Sequence, residues 1–186
     1  MKRLLSILAT IYLFAASCTN APGTASDKDS SKAAGPTMGP STGGTSEMIE
    51  KNRATALAAL QGFINHDANA VLKDVAPDFV DYGDGSGPPA KGTDSCKAFI
   101  QTYFTAFPDI KGENLMAVAE GNHVAVFGDW SGTFKGKMMN MEPTGKSFKI
   151  KDADLFTFNN NGQITEHRSV QSNGTMMTQI AADKKK

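Results

Sequence analysis

Asp152 and Asp154 stand two residues apart in a run of alternating polar and apolar residues, and His167 follows in a second such run beyond Asn159-Asn160-Asn161-Gly162. A carboxylate held in apolar surroundings has its pKa raised and can take up and return one proton near neutral pH. If the face bearing Asp154 points inward, Asp154 is a general base; if it points outward, it is a solvated acid. His167 is likewise either a proton carrier or a structural histidine bonded at a sheet edge. His66 and His123 fall at a helix end and at a strand start. Three scattered histidines, with no i,i+4 pair and no neighbouring cysteine, form no metal-ligand pattern, so no metal is expected.

Other polar side chains are weaker candidates. Asp81 and Tyr82 precede a segment with four Gly and two Pro (residues 83–92), where they either present a carboxylate and a hydroxyl to a ligand or cap the loop. Strict alternation puts Glu166 and Arg168 on one face of the last strand and Gln163, Thr165, His167, Ser169 and Gln171 on the other. Arg168 then pairs with Glu166 or with an acid on the next strand. Asp129 lies out of phase with Trp130, and Trp130 is either core or a flat platform for a ligand.

These residues need a scaffold. Even spacing of Val124, Val126, Trp130 and Phe134, then of Phe148, Ile150, Phe156 and Phe158, then a run over 164–170, predicts three long antiparallel strands, with a hairpin at Asn161-Gly162. Ile49, Leu57, Leu60, Phe63 and Ile64 share one face of a helix beginning near Ser46. Asp67 can cap a short helix through Val75, ended by Pro77, before a short strand at 79–82. Thr93 is placed as the cap of a third helix, with Cys96, Phe99, Ile100, Tyr103, Phe104 and Phe107 on its apolar face. A lone Cys96 there is expected to be an inert buried thiol. Helices followed by a curved sheet make an α+β domain, with any cavity between the two layers.

The ends are different in kind. Lys2-Arg3, the apolar residues 4–14 and the small residues Ala15-Ala16-Ser17 have the organisation of a signal peptide over 1–17. Ala15-Ala16-Ser17-Cys18 resembles the lipobox of bacterial lipoproteins, which makes Cys18 the lipidated residue; the alternative is an ordinary secretory signal with an incidental cysteine. Residues 18–46 are then a disordered tether, 47–175 the folded domain and 176–186 a flexible tail. The expected location is the bacterial cell envelope, lipid-anchored at the outer membrane, with the membrane as one partner. The chain's 19 Lys and Arg balance its 19 Asp and Glu, so no basic surface for nucleic acid is expected.

Four local motifs in order carry a resemblance over roughly residues 46–173. They are Phe79-Val80-Asp81-Tyr82 with Lys91-Gly92; Phe107-Pro108-Asp109; Gly132-Thr133-Phe134 to Gly136 with Pro143-Thr144-Gly145-Lys146; and Asp154-Leu155-Phe156 leading to Gly162-Gln163-Ile164-Thr165-Glu166-His167. The chain resembles the SnoaL-like polyketide cyclase (ester cyclase-like) branch of the nuclear transport factor 2-like superfamily. That resemblance implies a cone: a strongly bent antiparallel sheet packed on three helices from the N-terminal half, a pocket at the wide end and a possible homodimer on the sheet's outer face. It implies a cofactor-free aldol closure by an Asp late in the last strand working with a pocket His. Here Phe134 replaces the family's His, Arg168 replaces a Trp, and Gln171 and Ser172 stand where the Asp is expected. The first expectation is therefore a binding module for a small apolar ligand, lined by Phe99, Tyr103, Phe107, Trp130 and Phe134, with Tyr82, Arg168 and Ser172 contributing polar contacts. The second is a cyclase, isomerase or hydratase acting on a polyketide-like or ester substrate through Asp154 or His167.

Overall fold

The computed structural model describes residues 45–138, 140–170 and 173–181. Helix α1 (Ser46–Ile64) starts at Thr45, whose hydroxyl accepts from the Met48 amide at 3.3 Å and so satisfies one otherwise orphaned donor. Its buried face is mostly small: Asn52, Ala56, Ala59, Leu60 and Gly62. Gly62 is held to its size by α2 (Ala68–Val71), because a side chain there would come within 2.8 Å of the Val71 amide nitrogen. Asp67 caps α2 by accepting from the Asn69 and Ala70 amides at 2.9 and 3.0 Å.

Helix α2 is shorter than the sequence predicts. Val75 opens strand β1 (Val75–Asp81) instead of closing the helix, and Pro77 lies inside that strand. A proline can sit there because β1 pairs with β6 at Val75 and again at Val80, with a register irregularity between, so no ladder bond requires the missing N–H. A two-residue β2 (Ala90–Lys91) follows, then α3 (Thr93–Ala106). The cap of α3 is Gly92, at φ 77°, with Thr93 the first helical residue; no side chain bonds the helix end. The main sheet is built from β3 (Lys111–Glu120), β4 (His123–Thr133), β5 (Ser147–Phe158) and β6 (Ile164–Ser169). Strand order is β2-β1-β6-β5-β4-β3. All pairings are antiparallel except β1 with β6, which run parallel, one departure from the expected all-antiparallel sheet.

Alternation along β4 and β5 sends Val124, Val126, Trp130, Phe148, Phe156 and Phe158 inward, where they pack against α1 and α3. Phe107 and Phe134 belong to this core: Phe107 is fully enclosed, with its ring centroid 5.5 Å from that of Phe134 and 5.3 Å from that of Phe148. The packed structure does not stop at residue 175. Helix α4 (Asn173–Ile180) buries Met176 and Ile180, and the Thr144 hydroxyl donates to the Ile180 carbonyl at 2.7 Å, so at least residues 176–180 belong to the domain and not to a tail. On the outer face of the sheet Met116, Val118 and Phe127 are exposed. Among the described residues no helix is long and apolar enough to cross a membrane.

Candidate functional site

Three strands bring the ionisable groups together. β5 contributes Asp152 and Asp154, β6 contributes His167 and Ser169, and β1 contributes Asp81; Asp81 pairs with His167 across the parallel β1–β6 ladder. A bulge sets the phase of β6. Phe158 pairs with Ile164 and Thr157 with Glu166, leaving Thr165 as the extra residue, so Ile164 and His167 face the same side although three positions separate them. Strict alternation had grouped Thr165, not Ile164, with His167; the bulge corrects it.

The imidazole is clamped. Its Nδ1 lies 3.0 Å from Asp81 Oδ1 and its Nε2 3.1 Å from Asp154 Oδ1. With both carboxylates ionised, only the imidazolium can donate from both nitrogens, so this geometry favours the charged form. Burial opposes that charge, but hydrogen bonds to Asp154 and Asp81, and then their charges, outweigh it and carry the His167 pKa up to about 10. Asp81 goes the other way: burial raises it, yet the hydrogen bond and charge of His167 and the Gly83 amide at 2.9 Å hold it below the usual carboxylate range. For Asp154 desolvation wins. It is 8% exposed, only one of its oxygens faces His167, and its pKa is raised. The second oxygen, Oδ2, is buried with no hydrogen-bond partner among the described residues.

Asp154 and His167 line a cavity of about 180 Å³ between the sheet and the helices. Asp81, Asp84, Asp152 and Ser169 also line its polar end; the remaining wall is largely apolar, including Leu60, Phe63, Ile100, Phe148 and Phe156. Ser169 donates to Asp152 Oδ2 at 2.6 Å, and Asp152 Oδ1 accepts from the Ala153 amide at 2.7 Å. The Tyr103 hydroxyl is 3.1 Å from the Met176 sulfur, and burial, then the charges of Asp152 and Asp154, push its pKa up and keep it protonated. A thioether is a weak acceptor, so this donor can turn to a better one.

Of the residues expected to line the pocket, Phe99, Tyr103 and Trp130 do so. Phe107 and Phe134 do not. They pack in the closed core beside it, because α3 ends at Ala106 and turns Phe107 under the sheet. Tyr82 and Arg168 also lie outside the lining; the guanidinium sits 3.7 Å from the centroid of the Tyr82 ring. Arg168 follows His167 directly and so takes the opposite face of β6. Ser172, Gln171 and Cys18 lie outside the described residues. Ser169 was missed as a site residue, although its alternation with His167 could have pointed to it. Asp129 is outward and binds Lys151 at 2.6 Å and Asn114 at 2.8 Å. Among the described residues no group of three His, Cys, Asp or Glu could hold a metal ion.

The family model for SnoaL-like polyketide cyclases matches residues 54–180. No curated protein matches the sequence. Among solved structures, a candidate SnoaL-like polyketide cyclase from Jannaschia sp. CCS1 is 23% identical, with 75% of this chain and 98% of that chain covered and a TM-score of 0.65. A candidate polyketide cyclase from Xanthomonas campestris pv. campestris is 18% identical, with 72% and 99% covered and a TM-score of 0.65. An NTF2-like protein from Burkholderia pseudomallei K96243 is 22% identical, with 71% and 98% covered and a TM-score of 0.60. At these identities the likeness is one of fold.

Proposed function

The chain belongs to the SnoaL-like polyketide cyclase family, and from that premise we propose that its cavity binds a small apolar carbonyl compound and moves a proton on it, with Asp154 as the proton carrier. The observation that carries this reading is the buried Asp154 carboxyl, bonded to His167 through one oxygen and unpartnered at the other, on the wall of an otherwise apolar cavity. A carboxylate whose pKa is raised by burial is a stronger base than a solvated one, and so is suited to taking a proton from carbon beside a carbonyl and returning it. Asp81 fixes the ring of His167, and His167 fixes Asp154, so the acceptor oxygen is pre-positioned. Tyr103 faces the same cavity and can donate to the enolate oxygen in place of the Met176 sulfur. Enolate formation is the step shared by intramolecular aldol closure and double-bond isomerisation. Gln171 and Ser172 in place of the family's acid favour simple binding; a buried Asp154 carboxyl on the cavity wall supplies an acid and favours proton transfer. Deuterium uptake from solvent into an α-methylene ketone, followed by NMR, is the test.

We also propose that residues 1–17 direct export and that Cys18 is lipidated, which would tie the domain to the bacterial outer membrane. Cys18→Ser is expected to move the protein from the membrane pellet to the soluble fraction, and persistence in the pellet would end the proposal. A second copy of the chain on the sheet's outer face is supported by the exposed Met116, Val118 and Phe127. Sedimentation should then give a dimer for the native protein and a monomer for Phe127→Glu; a native monomer would refute it.

A further inference from the structure

Two polar side chains on the cavity wall lack a good partner, and together they describe what the cavity takes; this inference rests on the reading of that cavity as the substrate site. The other polar side chains at this end are engaged. Ser169 donates to Asp152, the Ser86 amide donates to Asp84, and Asp81 accepts from the Gly83 amide and bonds His167. His167 spends both ring nitrogens on Asp81 and Asp154. What is left is Tyr103, whose hydroxyl rests on the Met176 sulfur at 3.1 Å, and Asp154, whose Oδ2 is buried with no hydrogen-bond partner among the described residues.

The two groups ask different things of a ligand. Burial keeps the Tyr103 phenol protonated, so it is a donor held in reserve on a weak thioether acceptor, and a carbonyl oxygen is a better acceptor for it. Asp154, as a proton carrier, passes through two forms. As a carboxylate its Oδ2 needs a donor; as a carboxylic acid it offers one. An ammonium answers only the first form and a second carbonyl only the second. A hydroxyl answers both, because it donates to the carboxylate and accepts from the acid. The last side-chain torsion of an aspartate is broad, so a small rotation turns Oδ2 toward the cavity while Oδ1 stays within reach of His167.

We propose that the ligand of this cavity is an α-hydroxy ketone with an apolar body of about one ring, its carbonyl oxygen on the Tyr103 hydroxyl and its own hydroxyl on Asp154 Oδ2. The space is about 180 Å³, and a cavity of about 150 Å³ already holds benzene. The hydroxyl stands next to the carbonyl because the carbon it brings to Asp154 has to be the one whose proton the carbonyl acidifies. Asp154 takes that proton, the C–H electron pair becomes the C=C bond of an enediolate, and the carbonyl π pair moves onto the oxygen facing Tyr103. The proton then held on Asp154 is donated to the neighbouring hydroxyl oxygen until it returns to carbon.

Three neutral probes decide it: α-hydroxyacetophenone, propiophenone, in which a methyl replaces the hydroxyl, and α-methoxyacetophenone, which keeps the oxygen and loses its proton. They are titrated into the full chain at pH 7 and followed by calorimetry. The hydroxy ketone is expected to bind about tenfold or more tightly than propiophenone, and the methoxy ketone no more tightly than propiophenone. Asp154→Leu should cut the hydroxyl's advantage to about twofold or less, whereas Tyr103→Phe should weaken all three ketones and leave that advantage in place. A hydroxy ketone no tighter than propiophenone, a methoxy ketone equal to it, an advantage untouched by Asp154→Leu, or one erased by Tyr103→Phe would each overturn the proposal. Native protein is enough for the first two comparisons, so they stand even if a variant fails to fold. If the hydroxyl preference is missing while propiophenone still exchanges its α-protons through Asp154, the hydroxy ketone proposal fails and the proton-transfer reading survives. If the preference is present and no probe exchanges, the ligand class stands and the proton-transfer reading fails.

Discussion

Asp154→Asn loses about 10²–10⁴-fold in the rate of α-proton exchange on a bound ketone, the range for removal of a positioned general base, while the ketone's affinity changes little. The substitution is close to isosteric. An asparagine Oδ1 can still accept from His167 Nε2, now at 3.1 Å from the carboxylate oxygen, so the clamp persists; what disappears is an atom able to hold the transferred proton. Ionising Asp154 in the folded protein is opposed by burial, so the variant should be as stable as the native chain at pH 8, or more stable. Equal stability together with a collapsed exchange rate separates a chemical role from a structural one. Exchange at the native rate in a folded Asp154→Asn protein would leave the cavity a binding site and nothing more.

His167→Gln has the largest expected effect on stability and on its pH dependence. His167 holds its proton more tightly in the folded chain, with a pKa of about 10 against an ordinary value of 6.5. A group raised in this way stabilises the fold in full below its unfolded pKa, and the contribution is lost as pH climbs through the folded value. The native protein should therefore lose stability to urea steadily between pH 6.5 and 10, the window those two values define. In His167→Gln that slope should be absent, and at pH 7 the variant should be destabilised by about 3–5 kcal/mol, the cost of stripping the partner from buried charges. The lower end is expected, since Asp154 can relieve the repulsion from Asp81 by taking up a proton. Urea titrations at pH 6.5 and 9.5 on both proteins measure it. Parallel slopes would assign the pH dependence to other groups.

Much of the scaffold can be read from local patterns. Alternation over 124–134 and 147–158 predicts β4 and β5, and the Asn161-Gly162 turn predicts their continuation into β6, since Gly162 is needed at φ 75°. Asp67 as a helix cap is equally local. The misplacements share a cause in tertiary context. The local pattern places Val75 in a helix because neither its parallel pairing with Ile164 nor the irregularity that accommodates Pro77 has a signature in the surrounding residues. Met176 and Ile180 sit in a stretch too short and too polar to announce a packed helix, yet both are buried where α4 packs against β5.

The sequence by itself determined which side chains could carry a proton and which strand each rides on, because a strand's period of two can be read locally; that the face of β5 bearing Asp154 points inward was decided by the fold. It also determined the family, through ordered motifs that are short enough to be read without contacts. The meeting of Asp81, 86 positions from His167, with that imidazole was decided only by the tertiary structure. A parallel pairing and a one-residue bulge set it, and both depend on atoms far apart along the chain. Burial of Asp154 and the tight hold on the His167 proton follow from that meeting, since a pKa shift arises from the surroundings of a group and not from its identity.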